Sequence, residues 1–448
     1  MAQDLETLAA QVLDAAKAAG ADAADMVAVD QAGVSMEIRH GQLEQAERAE
    51  GIDVSLRVFL GQRQASVSVS ETSAATLTEM AERAVAMARE APEDPYAGLA
   101  SADQLAKTWD IEALDLEDNG PEPSPAELAE RSAEAEAAAL KVDGVAQVDS
   151  TGASFARSQV HLATSNGFSA GYARTSHSTS CVAISGEGLG MERDYCGEGR
   201  IHGEDLPDAV SIGTLAGERA VARAGASKPP TGAYPVVFDE RISSSLVGHV
   251  MSAINGAAIA RGASWLKEAM GEPIMPSGLS ISEDPHRARI PGSRPFDGEG
   301  LEVSPKAWVD RGVLTGWVLD LATGRKLGMP STASAGRGGG GSPSPSVTNL
   351  ALTQGSQTRD EMLREMGTGL LVTSMIGSTI NPNTGDYSRG ASGFWVENGE
   401  ITRPVNECTI AGNLREMLMT LTPANDARTH LSRVVPSLRV EGLMIAGA

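Results

Sequence analysis

His249 opens the stretch GHVMSAINGAAIARGASWLKEAMG, which reads as an amphipathic helix, the setting in which a zinc peptidase holds its metal. Such a helix needs two histidines on one face to grip the ion and a glutamate beside it to take a proton from bound water. Here the next residue is Val250, and the positions one turn on are Ala253 and Ile254, none of which binds a cation. The pattern H-E-x-x-H occurs nowhere in the chain. The spacing therefore predicts a partly buried histidine, hydrogen-bonded within a structural helix.

Four other segments carry residues with chemistry. His177 and Cys181 have a spacing that converges on a metal in a helix, but RTSHSTSCVAIS reads as a strand. On a strand the two side chains share a face yet stand too far apart for one ion, and Cys196 and His202 would have to approach from elsewhere. GFSAG, Gly167 to Gly171, matches the serine-hydrolase pattern with Ser169 as nucleophile. It leaves a hairpin turn for another polar strand instead of joining a strand to a helix, so the nucleophile elbow is missing. GRGGGGSPSPS, Gly336 to Ser346, could turn backbone N–H groups toward an anion but lacks the Lys-Ser/Thr end of a phosphate loop; close backbone approach to a neighbouring segment or to an extended peptide suits it better.

NPNTGDYSRGASGFWVENGE, Asn381 to Glu400, joins turn formers to an acid, a tyrosine, an arginine and an aromatic hairpin. A glycine-lined strand edge there could accept a peptide as an added strand, with Asp386, Tyr387 or Arg389 fixing its ends. A structural turn with an Asp-Arg pair is the plainer alternative.

The elements that must position these residues can be read from periodicity. Leu5, Leu8, Val12 and Ala16 mark an opening helix that Gly20 can terminate, and Leu77, Met80, Ala84 and Ala88 mark a second. Ile52 to Leu60 alternate, turn at Gly61-Gln62 and resume at Val67 and Val69, which predicts a hairpin. Ser124, Pro125 and Glu127 form a capping box ahead of a third helix. Beyond Gly144 the Ser/Thr-rich alternation predicts an antiparallel sheet to about Gly186, with Asn166-Gly167 in a two-residue turn, and a short helix follows near 208–225. ASKPPTG, 226–232, is the best boundary, giving an N-terminal domain over 1–228 and a C-terminal domain over 229–448. In the second half, hairpins are expected at Asp310-Arg311-Gly312 and at Asn398-Gly399.

With 448 residues the chain has ample length for two or three domains, and its few aromatics and 49 glycines suit a mixture of helices and strands built on aliphatic side chains. A net charge of -23 without a Lys/Arg cluster argues against nucleic acid as a partner. Three cysteines with no C-x-x-C pair, no signal-like N-terminus and no apolar run of spanning length point to a cytoplasmic protein without a membrane partner.

The segments GHVMSAINGAAIARGASWL, GRGGGGSPSPSVTNLAL, NPNTGDYSRGASGFWVENGEITRPV and ECTIAGNLREM span most of 248–417. In order and spacing they resemble PmbA/TldE, the partner branch of the TldD/PmbA family of zinc metallopeptidases; the N-terminal half resembles it only in its helix and hairpin layout. The resemblance implies an α+β chain, with an N-terminal helix-and-antiparallel-sheet domain followed by a strand-rich, β-barrel-like C-terminal domain, working as a cytoplasmic dimer. In the TldD branch a histidine-glutamate motif on a helix and a later cysteine bind zinc. Set against that helix, His249 takes the first ligand position, Val250 that of the glutamate and Ile254 that of the second histidine. Cys408, in ECTIAGNL, resembles a segment of the partner branch and not the metal-binding cysteine.

The implied function is therefore that of a subunit with no catalytic residue or metal of its own. It would pair with a TldD-like subunit that carries the zinc, and the complex would cleave unfolded or modified peptides, among them a microcin leader and an antitoxin. His249 would be the remnant of the zinc helix, and Asp386, Tyr387 and Arg389 would shape the peptide cleft. The rival reading is a homodimer that binds peptides without cleaving them; a third is an independent hydrolase centred on Ser169 or an unrecognised metal cluster.

Overall fold

The computed structural model describes residues 4–338 and 341–447. Asp4 starts helix α1 (Leu5–Ala18) by accepting from the Glu6 N–H at 3.1 Å. Strands β1 (Ala23–Arg39), β2 (Gln42–Leu60) and β3 (Arg63–Val69) run as an antiparallel meander into α2 (Ala74–Glu90). After the short α3 (Ile111–Leu114), α4 (Pro125–Leu140) begins at the expected capping box, with Ser124 N–H donating to Glu127 at 2.7 Å. Strands β4 (Val145–Thr164), β5 (Ser169–Ser185) and β6 (Glu192–Arg200) complete an antiparallel sheet in the order β3-β2-β1-β4-β5-β6.

Strand alternation divides the duties of this sheet. Met26 and Ala28 on β1 bury themselves against α1 and α2, while Val27, between them, turns to the other face and packs with Phe168 and Phe296. Helix α5 (Ala209–Ala222) lies beside α4 at such close range that a Cβ at Gly213 would come within 2.0 Å of the Ala135 carbonyl oxygen. Only glycine fits there. The turn between β4 and β5 differs from expectation: it spans four residues, and of Asn166-Gly167 only Gly167 has positive φ, because the Phe168 carbonyl takes the Thr164 N–H beneath it.

The second half starts with β7 (Gly232–Phe238) and α6 (Glu240–Ala253), the helix of His249, followed by α7 (Gly256–Ala260). Short elements come next: β8 (Ile281–Glu283), β9 (Lys306–Asp310), β10 (Val313–Leu314), α8 (Leu321–Leu327), β11 (Ala335–Gly336), β12 (Ser344–Pro345), β13 (Leu350–Leu352) and α9 (Arg359–Met366). Then β14 (Gly369–Ile380), β15 (Asp386–Glu397) and β16 (Glu400–Asn413) form long hairpins, and α10 (Leu414–Met419), β17 (Thr422–Pro423), β18 (Arg433–Val434) and β19 (Leu438–Ala446) follow. Both predicted tight turns are present, with positive φ at Arg311 and Gly312 and at Asn398 and Gly399.

Strands β16, β15, β14, β7 and β19 are neighbours in that order, and β16 also pairs with β19, so the sheet closes on itself as a five-stranded barrel. Leu370 and Val372 face the main core with Tyr387, Trp395 and Ile410, whereas Leu371 turns outward and is covered by Met362 and Leu363 of α9. A second sheet, β10-β9-β8-β13-β18, leans on the same core through Ile281, Val309 and Leu350. Among the described residues no helix is long and apolar enough to cross a membrane. In the glycine-rich loop, residues 339–340 lie outside the described part. Of the rest, Gly336 pairs with Ser344 so closely that a Cβ would sit 2.7 Å from that of Ser346, an approach to the chain's own neighbouring segment.

Candidate functional site

Helix α6 begins at Asp239 and buries Ser243, Leu246, Val247, Val250, Met251 and Ala253 at helical spacing. His249 stands beside this stripe, half-buried, at the end of the helix that faces β15. Its ring meets the Tyr387 ring edge to face, 5.9 Å between centroids. The expected hydrogen bond is missing: Nε2 is buried and has no partner among the described residues. Around it stand the Tyr387 ring and the Arg389 cation, and neither bonds to Nε2. Burial, and then the positive charge of Arg389, push the imidazole down to about 4, so it is neutral at physiological pH.

Tyr387 and Arg389 are two apart on β15 and share a face; Asp386 belongs to the other. The Tyr387 hydroxyl donates to Met375 Sδ at 3.4 Å, and burial raises its pKa. Arg389 Nε donates to the Gly377 carbonyl at 2.8 Å, and its charge is near enough to His249 to disfavour the imidazolium. Asp386 is exposed and accepts from Thr384 Oγ1 at 2.6 Å and Asn413 Nδ2 at 3.0 Å, which hold its carboxyl below the usual range. The structure thus assembles His249, Tyr387 and Arg389 and sets Asp386 apart, and Asp386 and Arg389 do not pair. Strand β15 is bonded along both edges, to β14 and β16, so a peptide reaching these residues would meet side chains and not an open strand edge.

A catalytic zinc takes three protein ligands and keeps one position open. The α6 end offers one imidazole; Val250 and Ile254 are both 0% exposed within the apolar core. Cys408 is buried with its thiol pushed up to about 11, and its Sγ donates to the Ala391 carbonyl at 3.2 Å. These residues do not fit the metal. The described residues contain no group of three or more His, Cys, Asp and Glu side chains suited to one ion. His177 and Cys181 stay separate on β5: His177 Nε2 lies 3.1 Å from Asp118, and Cys181 faces Cys196 across the ladder. His202 turns to Asp115 at 3.1 Å.

Two features had no sequence signal. A cavity of about 520 Å³ opens between the barrel and the N-terminal sheet, walled by Ile376, Gly390 and Cys408 on one side and Tyr195 and Arg223 on the other. Far from it, Asp25 is sealed between Arg57, whose Nε is 3.1 Å away, and Arg337 at 2.7 Å, the latter reaching in from the glycine-rich loop. Nearby Glu299, buried and close to Asp297, is pushed up to about 8. Such pairs join segments far apart in the chain, and neither residue's local sequence marks it.

Three family models match the chain: the PmbA/TldA metallopeptidase domain 1 over 24–88, the central domain over 118–227 and the C-terminal domain over 231–447. The metalloprotease PmbA of Escherichia coli O157:H7 is 35% identical, covering 95% of this chain and 92% of that protein. The metalloprotease PmbA homolog of Haemophilus influenzae is 33% identical over 99% of this chain and 96% of its own length. Among solved structures, a Bacteroides thetaiotaomicron protein described as a candidate modulator of DNA gyrase superposes with a TM-score of 0.91 at 27% identity, covering 100% of both chains. TldE from Thermococcus kodakarensis does so at 0.84 and 18% identity, over 98% of this chain and 100% of that one, a likeness of fold.

Proposed function

Because the chain belongs to the PmbA/TldD metallopeptidase family, we propose that it acts as the subunit without zinc in a heteromeric peptidase, working in the cytoplasm beside a TldD-like partner that holds the metal. The observation that carries this reading is the end of α6, where the core residues Val250 and Ile254 occupy the places in which a metal helix needs polar ligands. In this reading the domains divide at 228/229, and the cleft wall is built by the C-terminal one.

The role left to this chain is positioning. Arg389 is a permanent cation beside a neutral histidine and a phenol, so the group its surroundings lack is a carboxylate, which an unfolded peptide supplies at its C-terminus or on a side chain. Tyr387 gives an apolar wall next to it. Holding an extended chain in line with the partner's metal and excluding water speeds cleavage without a reacting group from this subunit.

Two measurements test the proposal. Elemental analysis of the chain purified alone and dialysed against trace zinc should find almost no metal, and one tightly held zinc per chain would overturn the reading. Mixed with a TldD-like chain, the protein should raise peptide cleavage. Arg389→Ala should then raise KM by roughly 10-fold or more with kcat little changed. Unchanged KM would remove Arg389 from the cleft. If the chain binds peptide as a homodimer and adds nothing to a TldD-like partner, it is a peptide-binding protein instead.

A further inference from the structure

The GFSAG segment lies on a strand, with Ser169 opening β5 and no nucleophile elbow, yet the structure places a base beside the serine. His161 on β4 places Nε2 2.9 Å from Ser169 Oγ. The register explains how. His161 is directly opposite Gly171, and Ser169 is two residues before that glycine on the same face. A Cβ at Gly171 would lie 2.8 Å from His161 Nδ1, so the missing side chain is the space through which the imidazole leans toward the serine.

The pair has an accessible nucleophile and a dry base: Ser169 is exposed and His161 is buried. A cavity of about 510 Å³ opens over it, walled by Gln159, Trp109 and Tyr172 and by Asp4 and Glu6 at the start of α1. Burial favours the uncharged imidazole, against the pull of Glu6 and Asp4, so the ring is free to accept a proton and has carboxylates near it once it has done so. Gln159 is on the same face of β4, two residues from His161, and brings a carboxamide N–H that can meet an oxyanion formed over the serine.

We propose that Ser169 and His161 form a reactive site, separate from the α6 end, that accepts acyl groups from small neutral or cationic carboxylic esters. With Nδ1 protonated, the Ser169 hydroxyl donates to Nε2. As Oγ bonds to the ester carbonyl carbon, its proton passes to Nε2. The carbon–oxygen bond to the alcohol then breaks and the alcohol leaves with that proton. Water, deprotonated by the same nitrogen, attacks the acyl-serine, which returns Ser169 with its proton and releases the acid.

The test uses the full chain with p-nitrophenyl acetate as substrate and a fluorophosphonate as covalent label, located by peptide mass spectrometry. The expected result is label on Ser169 and ester hydrolysis that falls by roughly 100-fold in Ser169→Ala and in His161→Gln, and stays in Ser176→Ala, an exposed serine of the same strand. Hydrolysis should rise with pH and level off below the ordinary histidine value of 6.5, since the base is shifted downward. Gly171→Ala, which crowds the ring, should lower labelling while Ser169 remains. Label spread over other serines, or hydrolysis unchanged in Ser169→Ala, would overturn the proposal. Ser169→Ala removes one exposed hydroxyl, so loss of folding does not confound it.

Discussion

The N-terminal sheet and the end of α6 treat a buried or half-buried ionisable group in opposite ways. Asp25 has cations on two sides, and His177 and His202 each look at a carboxylate. His249 has a phenol ring and a cation, Arg389, that disfavours its own protonation, and its Nε2 has no partner among the described residues. The first arrangement sets opposite charges side by side, so it holds segments together even though Arg337 and His177 Nε2 make no hydrogen bond of their own. The second is incomplete in itself, and an incomplete polar group at a surface is one that a ligand can satisfy. The same residue types therefore separate into scaffold and site by what surrounds them.

The contrast is broken most severely at Asp25. Asp25→Ala leaves Arg57 and Arg337 buried without their paired carboxylate and should cost about 3–5 kcal/mol, read as a fall in the urea midpoint. A change under 1 kcal/mol would mean that water reaches both guanidinium groups. Next comes Val250→Glu, which restores the residue type of a metal helix but places a carboxylate in the apolar core. It should destabilise by about 3 kcal/mol and bind no zinc.

A smaller effect isolates His249. The folded chain favours its neutral form, so between about 4 and 6.5 the unfolded chain binds the extra proton. Stability is fully present above 6.5, is lost as pH falls through that window, and the loss is complete below about 4. Its share is about 1–2 kcal/mol after discounting for partial exposure. His249→Leu should flatten that part of the pH profile relative to the parent chain; an unchanged slope would show that the ring is solvated. The smallest effect belongs to Asp386, on the far face of β15. Asp386→Asn should leave both the melting temperature and the KM of the complex where they are, in contrast to Arg389→Ala.

Local signals carried much of the architecture. Ser124 and Glu127 announced a helix because the cap needs only four residues to form, and Asn398-Gly399 announced a turn because the dipeptide itself tolerates positive φ. Asn166-Gly167 misled for the opposite reason: the Thr164–Phe168 bonding around it, not the dipeptide, sets the turn. Strand β1 carries a weak sequence signal because Asp30, Gln31 and Gly33 interrupt its apolar alternation. It is a strand because β2 and β4 pair with it on both edges.

For the site, the residues that follow His249 on its helix were legible in the sequence, since they lie within one turn. That Tyr387 faces His249, or that His161 serves Ser169, depends on strand register and on the packing of a helix against a barrel. Those relations are set by tertiary pairing, and no residue type at either position implies them.

Closure of the barrel through β16 and β19 also orders events during synthesis. Every strand of the N-terminal sheet has been made by residue 200, so that sheet can assemble on a nascent chain, while the barrel must wait for the strand ending at Ala446. Until Arg337 emerges, Asp25 has Arg57 alone for company. The buried Asp25–Arg57 pair of the first half thus gains its second cation from a residue translated with the second, so the earlier unit reaches its final set of contacts only after most of the later one exists.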